Sequence, residues 1–277
     1  MEKGRTLYVT DLDGTLLTEK KTLSEETAAC LSSWLESGRL SLSIATARSA
    51  LSIGEILRVL PLNLPLILMN GVFLYDWKEK RYFSAEYLGG ARAEEILKIL
   101  GNFGLSPLVY SLKEKEDLEI WYETLDNPWK AVFYDQRREK QGRRFRTSAG
   151  FQKLPAPFAV YMTLMDDRER LAPAYEAVKG LEGVSSVFYP DNYTQGWFLE
   201  IYSGRASKGS GVRKLKALCK AERVVVFGDN YNDMDMFQAA DEGYAVENAV
   251  EELKAAATGV IGSNREDGVA KWLAAHL

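Results

Sequence analysis

Asp11-Leu12-Asp13-Gly14-Thr15 sets two carboxylates one residue apart where the apolar run Leu7-Tyr8-Val9 stops and a glycine turns the chain. Residues i and i+2 of a strand project the same way, so Asp11 and Asp13 are expected to face one space beyond the strand's C-terminal end. Open α/β sheets place their ligand sites there. Two carboxylates held so close repel unless one takes a proton or a cation sits between them, and either outcome makes chemistry possible. The same five residues also suit a plain Asp-rich turn, since Asp and Gly are favoured in turns for backbone reasons.

Three further element boundaries carry chemistry. Asp229 and Asp233 follow a second apolar run, Arg223-Val224-Val225-Val226-Phe227, and open a segment that reads as helix through Ala240. Carboxylates at i and i+4 share a helix face, and near its N-terminus they meet the positive end of the dipole. The alternating run Leu40 to Ala45 ends on Thr46, a hydroxyl at a third strand tip. Lys208 starts an amphipathic helix with Val212, Leu215, Leu218 and Cys219 on one side, and offers an ammonium with three donors. Taken singly, these are caps and a solvated lysine. Their joint occurrence, in this order and each at a boundary, is hard to explain as capping alone.

The four segments resemble the four motifs of the haloacid dehalogenase superfamily, in its Cof-like branch with an inserted type IIB cap. Asp11 to Thr15 is similar to the first motif and Ile44-Ala45-Thr46-Ala47-Arg48 to the second. Ser207-Lys208-Gly209 is similar to the third, and Gly228-Asp229-Asn230-Tyr231-Asn232-Asp233 to the fourth. Met69-Asn70-Gly71 and the stretch Asn264 to Ala270 resemble accessory segments of that branch. One departure is visible: the second motif often has glycine where Ala47 stands, and alanine resists positive φ.

The resemblance implies a Rossmann-like doubly wound parallel α/β sheet built from residues 1–83 and 190–277, with an inserted α+β cap at 84–189 that selects the substrate. The local pattern agrees: strand into Asp11, helix Ser24 to Ser37 closed by Gly38, strand into Thr46, helix Ala50 to Leu60, strand Leu66 to Met69. The pattern then changes, with helices at Ala91 to Phe103 and Arg168 to Leu181 among short strands. Trp197 to Tyr202 is expected to bring the chain back to the core.

The activity implied is a Mg²⁺-dependent phosphatase acting on a small phosphate ester, a sugar phosphate by preference, in the cytoplasm. Asp11 would be the nucleophile forming an aspartyl-phosphate, and Asp13 the acid that protonates the leaving alcohol and then activates water. Asp11, Asp229 and the backbone carbonyl of Asp13 would hold the metal, with Asp233 acting indirectly. Thr46 and Lys208 would grip the transferring oxygens, helped by Gly14, Ala47, Arg48, Asn70 and Asn232. The carboxylate at Asp13 favours a phosphatase over transport ATPases, which lack it. A sugar phosphomutase is the enzyme alternative, and a phosphate-sensing or nucleic-acid-binding protein on the same frame the non-enzymatic one.

Composition narrows the field further. The only histidine, His276, is the penultimate residue, so a Ser-His-Asp triad or an imidazole-rich zinc site is not expected. A formal charge of −4 gives no general reason to bind nucleic acid or an anionic membrane. The longest apolar run, near Leu60 to Tyr75, is broken by Pro61, Pro65 and Gly71, so no membrane span is expected. Cys30 and Cys219 sit in amphipathic helical patterns and read as small core residues. The basic stretch Lys130 to Arg146, with a turn at Gly142, reads as a solvated helix face, the alternative being a positive rim that attracts phosphate. Oligomeric state is not legible.

Overall fold

A computed structural model of the chain describes residues 5–114, 118–141, 144–150, 154–190 and 196–277. The chain forms two compact units, one from the residues up to Ser84 with those from Ser207 onward, the other from Ala85 to Ala206. The first unit opens with β1 (Thr6–Thr10), α1 (Glu25–Glu36), β2 (Leu42–Ile44), β3 (Leu66–Leu68), β4 (Phe73–Asp76) and β5 (Arg81–Ala85). The second contains α2 (Gly90–Asn102), β6 (Leu108–Leu112), β7 (Leu118–Tyr122), α3 (Pro128–Gln141), β8 (Phe145–Thr147), β9 (Ala159–Asp166), α4 (Arg168–Val178), β10 (Val184–Pro190) and β11 (Trp197–Ser203). The first unit resumes with α5 (Lys208–Cys219), β12 (Arg223–Gly228), α6 (Met234–Gln238), β13 (Glu242–Val246), α7 (Glu251–Ala256), β14 (Gly259–Ile261) and α8 (Gly268–His276).

Five strands of the first unit form a sheet in the order β14-β13-β12-β1-β2, every adjacent pair parallel. Leu7, Tyr8 and Val9 of β1 and Val224 to Phe227 of β12 are all buried, the continuous apolar reading of parallel strands covered on both faces. β1 lies between strands from opposite ends of the chain, so the strand order reverses beside it. Trp272 of α8 packs against Tyr8, Phe227 and Tyr244, while α5 packs on β1 and β3. An isolated parallel bridge, Ala45 to Ile67, sets β3 beside the end of β2. Ser24 caps α1, its Oγ accepting from the Thr27 amide, and Gly38 leaves the helix at φ +70°.

Three expected helices are cut down. Ala50 to Leu60 is a run of turns, although Ile53, Leu57 and Leu60 are buried at i, i+4 and i+7, a helical spacing. Gly54 within the run weakens the hydrogen-bond ladder, and Pro61 disfavours helical geometry at Leu60. The segment after Asp229 is a 3₁₀ turn, Tyr231–Asp233, followed by the short α6, so Asp229 and Asp233 do not share a helix face. α4 also ends at Val178, short of Leu181.

The second unit is a six-stranded sheet, β10-β11-β9-β6-β7-β8. Ile96, Leu97 and Leu100 of α2 and Leu171 and Val178 of α4 form a core with Met162, Leu164, Leu199 and Ile201. This corrects the boundary expected at residues 189/190. Trp197 to Tyr202 does not return to the first unit: β11 pairs antiparallel with both β10 and β9, and its alternate residues Leu199 and Ile201 are buried in this core. The crossing comes after Ala206 instead.

The basic segment is also less solvated than expected. Lys130 is buried with its Nζ 2.7 Å from Asp126, Arg137 stacks 3.5 Å from the centre of the Phe133 ring, and Arg146 pairs with Glu119. Tyr122, Tyr134 and Phe145 form an aromatic cluster beside them. Gly142 and Arg143 lie outside the described residues. Among those residues no helix is long and apolar enough to cross a membrane.

Candidate active site

Asp11, Thr46 and Asp229 each follow the C-terminal end of one of three neighbouring strands. Parallel pairing carries Thr10 alongside Phe227 on one side and Ile44 on the other. The ladder continues one step beyond, with the Asp11 amide donating to Phe227 O at 2.9 Å and the Thr46 amide to Ile67 O at 2.9 Å. The site therefore inherits its spacing from strand register.

Lys208 enters from the first turn of α5. A reciprocal capping box anchors that turn: Ser207 Oγ accepts from the Ser210 amide and Ser210 Oγ from the Ser207 amide, both at 3.0 Å. Asp235 Oδ2 accepts from the Gly209 amide at 3.0 Å, and a Cβ at Gly209 would lie 2.2 Å from the Asp235 carbonyl oxygen. The Lys208 ammonium, only 1% exposed, lies 2.6 Å from both Asp11 Oδ1 and Asp233 Oδ1. Burial alone would lower its pKa, but the two carboxylates outweigh burial and hold it above its ordinary value. Asp233 Oδ2 accepts from the amides of Asp229 and Asn230, which ties the loop after β12 to the same lysine.

The acids respond to the same environment. Burial raises Asp11 to about 7; Lys208 opposes this, and the charges of Asp233 and Asp229 add to it. Burial and Asp233 raise Asp229 to about 6. Carboxylate oxygens of Asp11, Asp229 and Asp233 lie within 4.8 Å of one another, and Asp11 Oδ2 is buried with no hydrogen-bond partner. A buried ionised oxygen without a partner is costly, so this one fits a cation. The donor set is all carboxylate oxygen, which suits a hard divalent ion rather than a thiolate- or imidazole-seeking one. Asp233 already directs both oxygens at protein donors, whereas Asp11 and Asp229 have coordination to offer.

Asp13 is placed differently. Its side chain is not part of the carboxylate cluster; instead Arg48 Nε donates to Oδ2 at 2.6 Å and Arg48 Nη2 to Oδ1 at 2.5 Å. Gly14 turns the loop at φ +83°, and a Cβ there would sit 2.2 Å from Asp229 Oδ2, so only glycine allows the first and fourth segments to approach this closely. Thr46 is buried, and its Oγ1 accepts from the Arg48 amide at 3.1 Å. Ala47 is exposed and does not adopt positive φ, so the loop accommodates alanine without strain. Asn232 Nδ2 donates to Asn70 Oδ1 at 3.2 Å.

Sequence reasoning missed Asn248 and gave Asn264 and Thr15 no role of their own, yet these residues brace this loop. Asn248 Nδ2 donates to the Gly14 carbonyl at 2.8 Å, Asn264 Nδ2 to the Leu17 carbonyl at 2.8 Å, and the Asn264 amide to Asn248 Oδ1 at 3.0 Å. Thr15 Oγ1 reaches Asp229 Oδ1 at 3.4 Å. Asn248 stands two residues past the end of β13, the same strand-tip placement that singled out Asp11 and Thr46.

Residues 8–273 match the haloacid dehalogenase-like hydrolase family. Pyridoxal phosphate phosphatase YbhA of Escherichia coli (strain K12) is 28% identical over 284 residues, covering 96% of this chain and 97% of that protein. 5-amino-6-(5-phospho-D-ribitylamino)uracil phosphatase YitU of Bacillus subtilis (strain 168) is 25% identical over 280 residues, covering 99% of this chain and 98% of its own. A crystal structure of a haloacid dehalogenase-like hydrolase from Bacteroides thetaiotaomicron has a TM-score of 0.77 at 25% identity, covering 99% of this chain and 100% of that one. The chain belongs to the haloacid dehalogenase-like hydrolase family, among its phosphoric monoester hydrolases.

Proposed function

We propose that the protein is a Mg²⁺-dependent phosphatase that hydrolyses a small phosphorylated metabolite, a sugar phosphate by preference, through an aspartyl-phosphate on Asp11. The observation that carries this reading is the buried contact of Lys208 with Asp11 Oδ1, which fixes the carboxylate while Oδ2 stays without a protein partner. In the first displacement a carboxylate oxygen of Asp11 bonds to phosphorus, the bond to the ester oxygen breaks, and that oxygen leaves with a proton from Asp13. In the second, water attacks the same phosphorus and gives a proton to Asp13, freeing Asp11 and inorganic phosphate. Mg²⁺ held by Asp11, Asp229 and the Asp13 carbonyl would offset the repulsion between a carboxylate and a phosphate dianion.

Lys208 has three N–H donors, two of which go to Asp11 and Asp233, leaving one for a phosphoryl oxygen. Thr46 Oγ1 accepts from the Arg48 amide, so its hydrogen is available to a second. The names of the two relatives support a small phosphorylated metabolite as substrate. Residues 85–206 supply none of the motif positions, and we assign to them the choice of alcohol.

A phosphate-release screen across metabolite phosphates with Mg²⁺ tests this reading, joined to an acid-quenched single turnover with phosphorus-labelled ester. Label should stay on the wild-type chain and not on Asp11→Asn. Release of phosphate from none of the esters, or equal labelling of the two proteins, would overturn it.

A further inference from the structure

Resting on the assignment of Asp13 as proton donor, we propose that Arg48 is the positioning residue that aims Asp13 at the leaving oxygen, and not solely a phosphate contact. Side-chain accessibility of 39% leaves Asp13 partly open to solvent, so packing alone does not fix its carboxylate. The constraint comes from Arg48 instead. Its planar fork meets both carboxylate oxygens, at 2.6 and 2.5 Å, which fixes the carboxylate's orientation as well as its place.

Arg48 is itself anchored at both ends of its peptide unit. Its amide donates to Thr46 Oγ1 at 3.1 Å, and its carbonyl accepts from the Met69 amide at 3.1 Å. Thr46 follows β2, whose register with β1 is set by Thr10 against Ile44. The fork therefore transmits strand register to a loop residue that has turns on its other side, where Leu16 and Leu17 both donate to the Leu12 carbonyl. The two-bond fork seen here belongs to the ionised carboxylate, the form that takes the proton from water; when Asp13 carries that proton, its other oxygen still accepts from Arg48, so the same guanidinium holds both forms. As the bond from Asp11 to phosphorus forms and the bond to the ester oxygen breaks, that proton goes to the departing alcohol. Positioning matters because a donor misplaced by about 1 Å loses roughly a hundredfold in rate.

Leaving-group chemistry separates aiming from phosphate binding. An alkyl phosphate expels a strongly basic alkoxide and needs the proton, whereas p-nitrophenyl phosphate expels a stabilised phenolate and scarcely does. The measurement is kcat and KM on a simple alkyl phosphate and on p-nitrophenyl phosphate for wild type, Arg48→Lys, Arg48→Gln and Asp13→Asn, each shown to melt cooperatively. The expected result is that both Arg48 variants lose kcat on the alkyl ester by about tenfold or more beyond their loss on the aryl ester, in the same sense as Asp13→Asn. Lysine should recover KM, by restoring charge, without recovering that kcat.

Equal proportional losses on the two esters in the Arg48 variants, or losses in KM alone, while Asp13→Asn remains selective, would show Arg48 to be a phosphate contact only. If Asp13→Asn is itself unselective, the acid assignment in the proposed function falls, and the role of Arg48 falls with it. The two failures are thus read from different proteins.

Discussion

Lys208 Nζ and Asp11 Oδ1, 197 residues apart in the chain, meet at 2.6 Å in a buried setting where Asp233 supplies the second carboxylate. The arrangement is two acids around one cation, so the lysine is the member whose removal strands buried charge. Breaking a buried ion pair from one side leaves an uncompensated charge, at a typical cost of about 3–5 kcal/mol.

Lys208→Met should therefore lower unfolding free energy by about 3–5 kcal/mol and cut turnover by at least about a hundredfold. Adding Asp233→Asn removes one of the two stranded acids and should recover part of the stability but none of the activity. Denaturant unfolding at neutral pH, alongside phosphate release, reads both. Full stability in the single variant would mean that the lysine is not the charge partner described.

Asp11→Asn retains a carbonyl oxygen for Lys208 and removes a charge whose burial is unfavourable. The variant should fold at least as stably as wild type in the absence of metal, with steady-state turnover abolished. Unchanged turnover in this protein would eliminate the covalent route.

Gly71→Ala addresses the connection between the accessory segment and α5. Met69, Asn70 and Gly71 are three consecutive residues with positive φ, and a Cβ on Gly71 would lie 2.0 Å from the Ser207 carbonyl oxygen. Backbone on both sides leaves no flexible side chain to yield. The substitution should cost about 2 kcal/mol or more and, by displacing the residue next to Lys208, lower kcat as well. Thermal unfolding and kcat should move together; a stable variant with normal kcat would show that the loop adapts freely.

The strand tips were legible because their signal is local: an apolar run followed by Asp or Thr records both the strand and the direction of its end. Asp11, Thr46 and Asp229 could be named on that basis, and Lys208 from its place at the start of an amphipathic helix. The braces were not legible, since Asn248 on Gly14 O and Arg48 on Asp13 depend on which loops the sheet order brings together. The failed helix at Ala50 to Leu60 has the opposite cause. Its apolar spacing reports burial truthfully, and Gly54 with Pro61 decides the backbone. β11 was assigned to the wrong unit because alternation identifies a strand but not its partner, and only pairing with β9 and β10 settles that.

The last prediction joins pH to metal. Without metal, burial holds Asp11 at about 7 and Asp229 at about 6 in the folded state, against an ordinary value of 3.8. A folded-state pKa raised above the unfolded one means that the native protein binds these protons more tightly. Their contribution to stability is then fully present below about pH 4 and is lost as pH rises through about 6 and 7. Mg²⁺ bound as proposed would require the ionised carboxylates, so it should compete with protons at acid pH and replace them near neutrality. In chelator the melting temperature should fall from about pH 5 to about pH 8 relative to Asp11→Asn, while the rise produced by Mg²⁺ should grow over the same interval. Asp229→Asn should remove most of that rise. Asp233→Asn should lower the baseline through Lys208 yet keep the response to Mg²⁺, since both Asp233 oxygens are already committed to protein donors. A Mg²⁺ response of equal size at both pH values, or one undiminished in Asp229→Asn, would place the metal elsewhere.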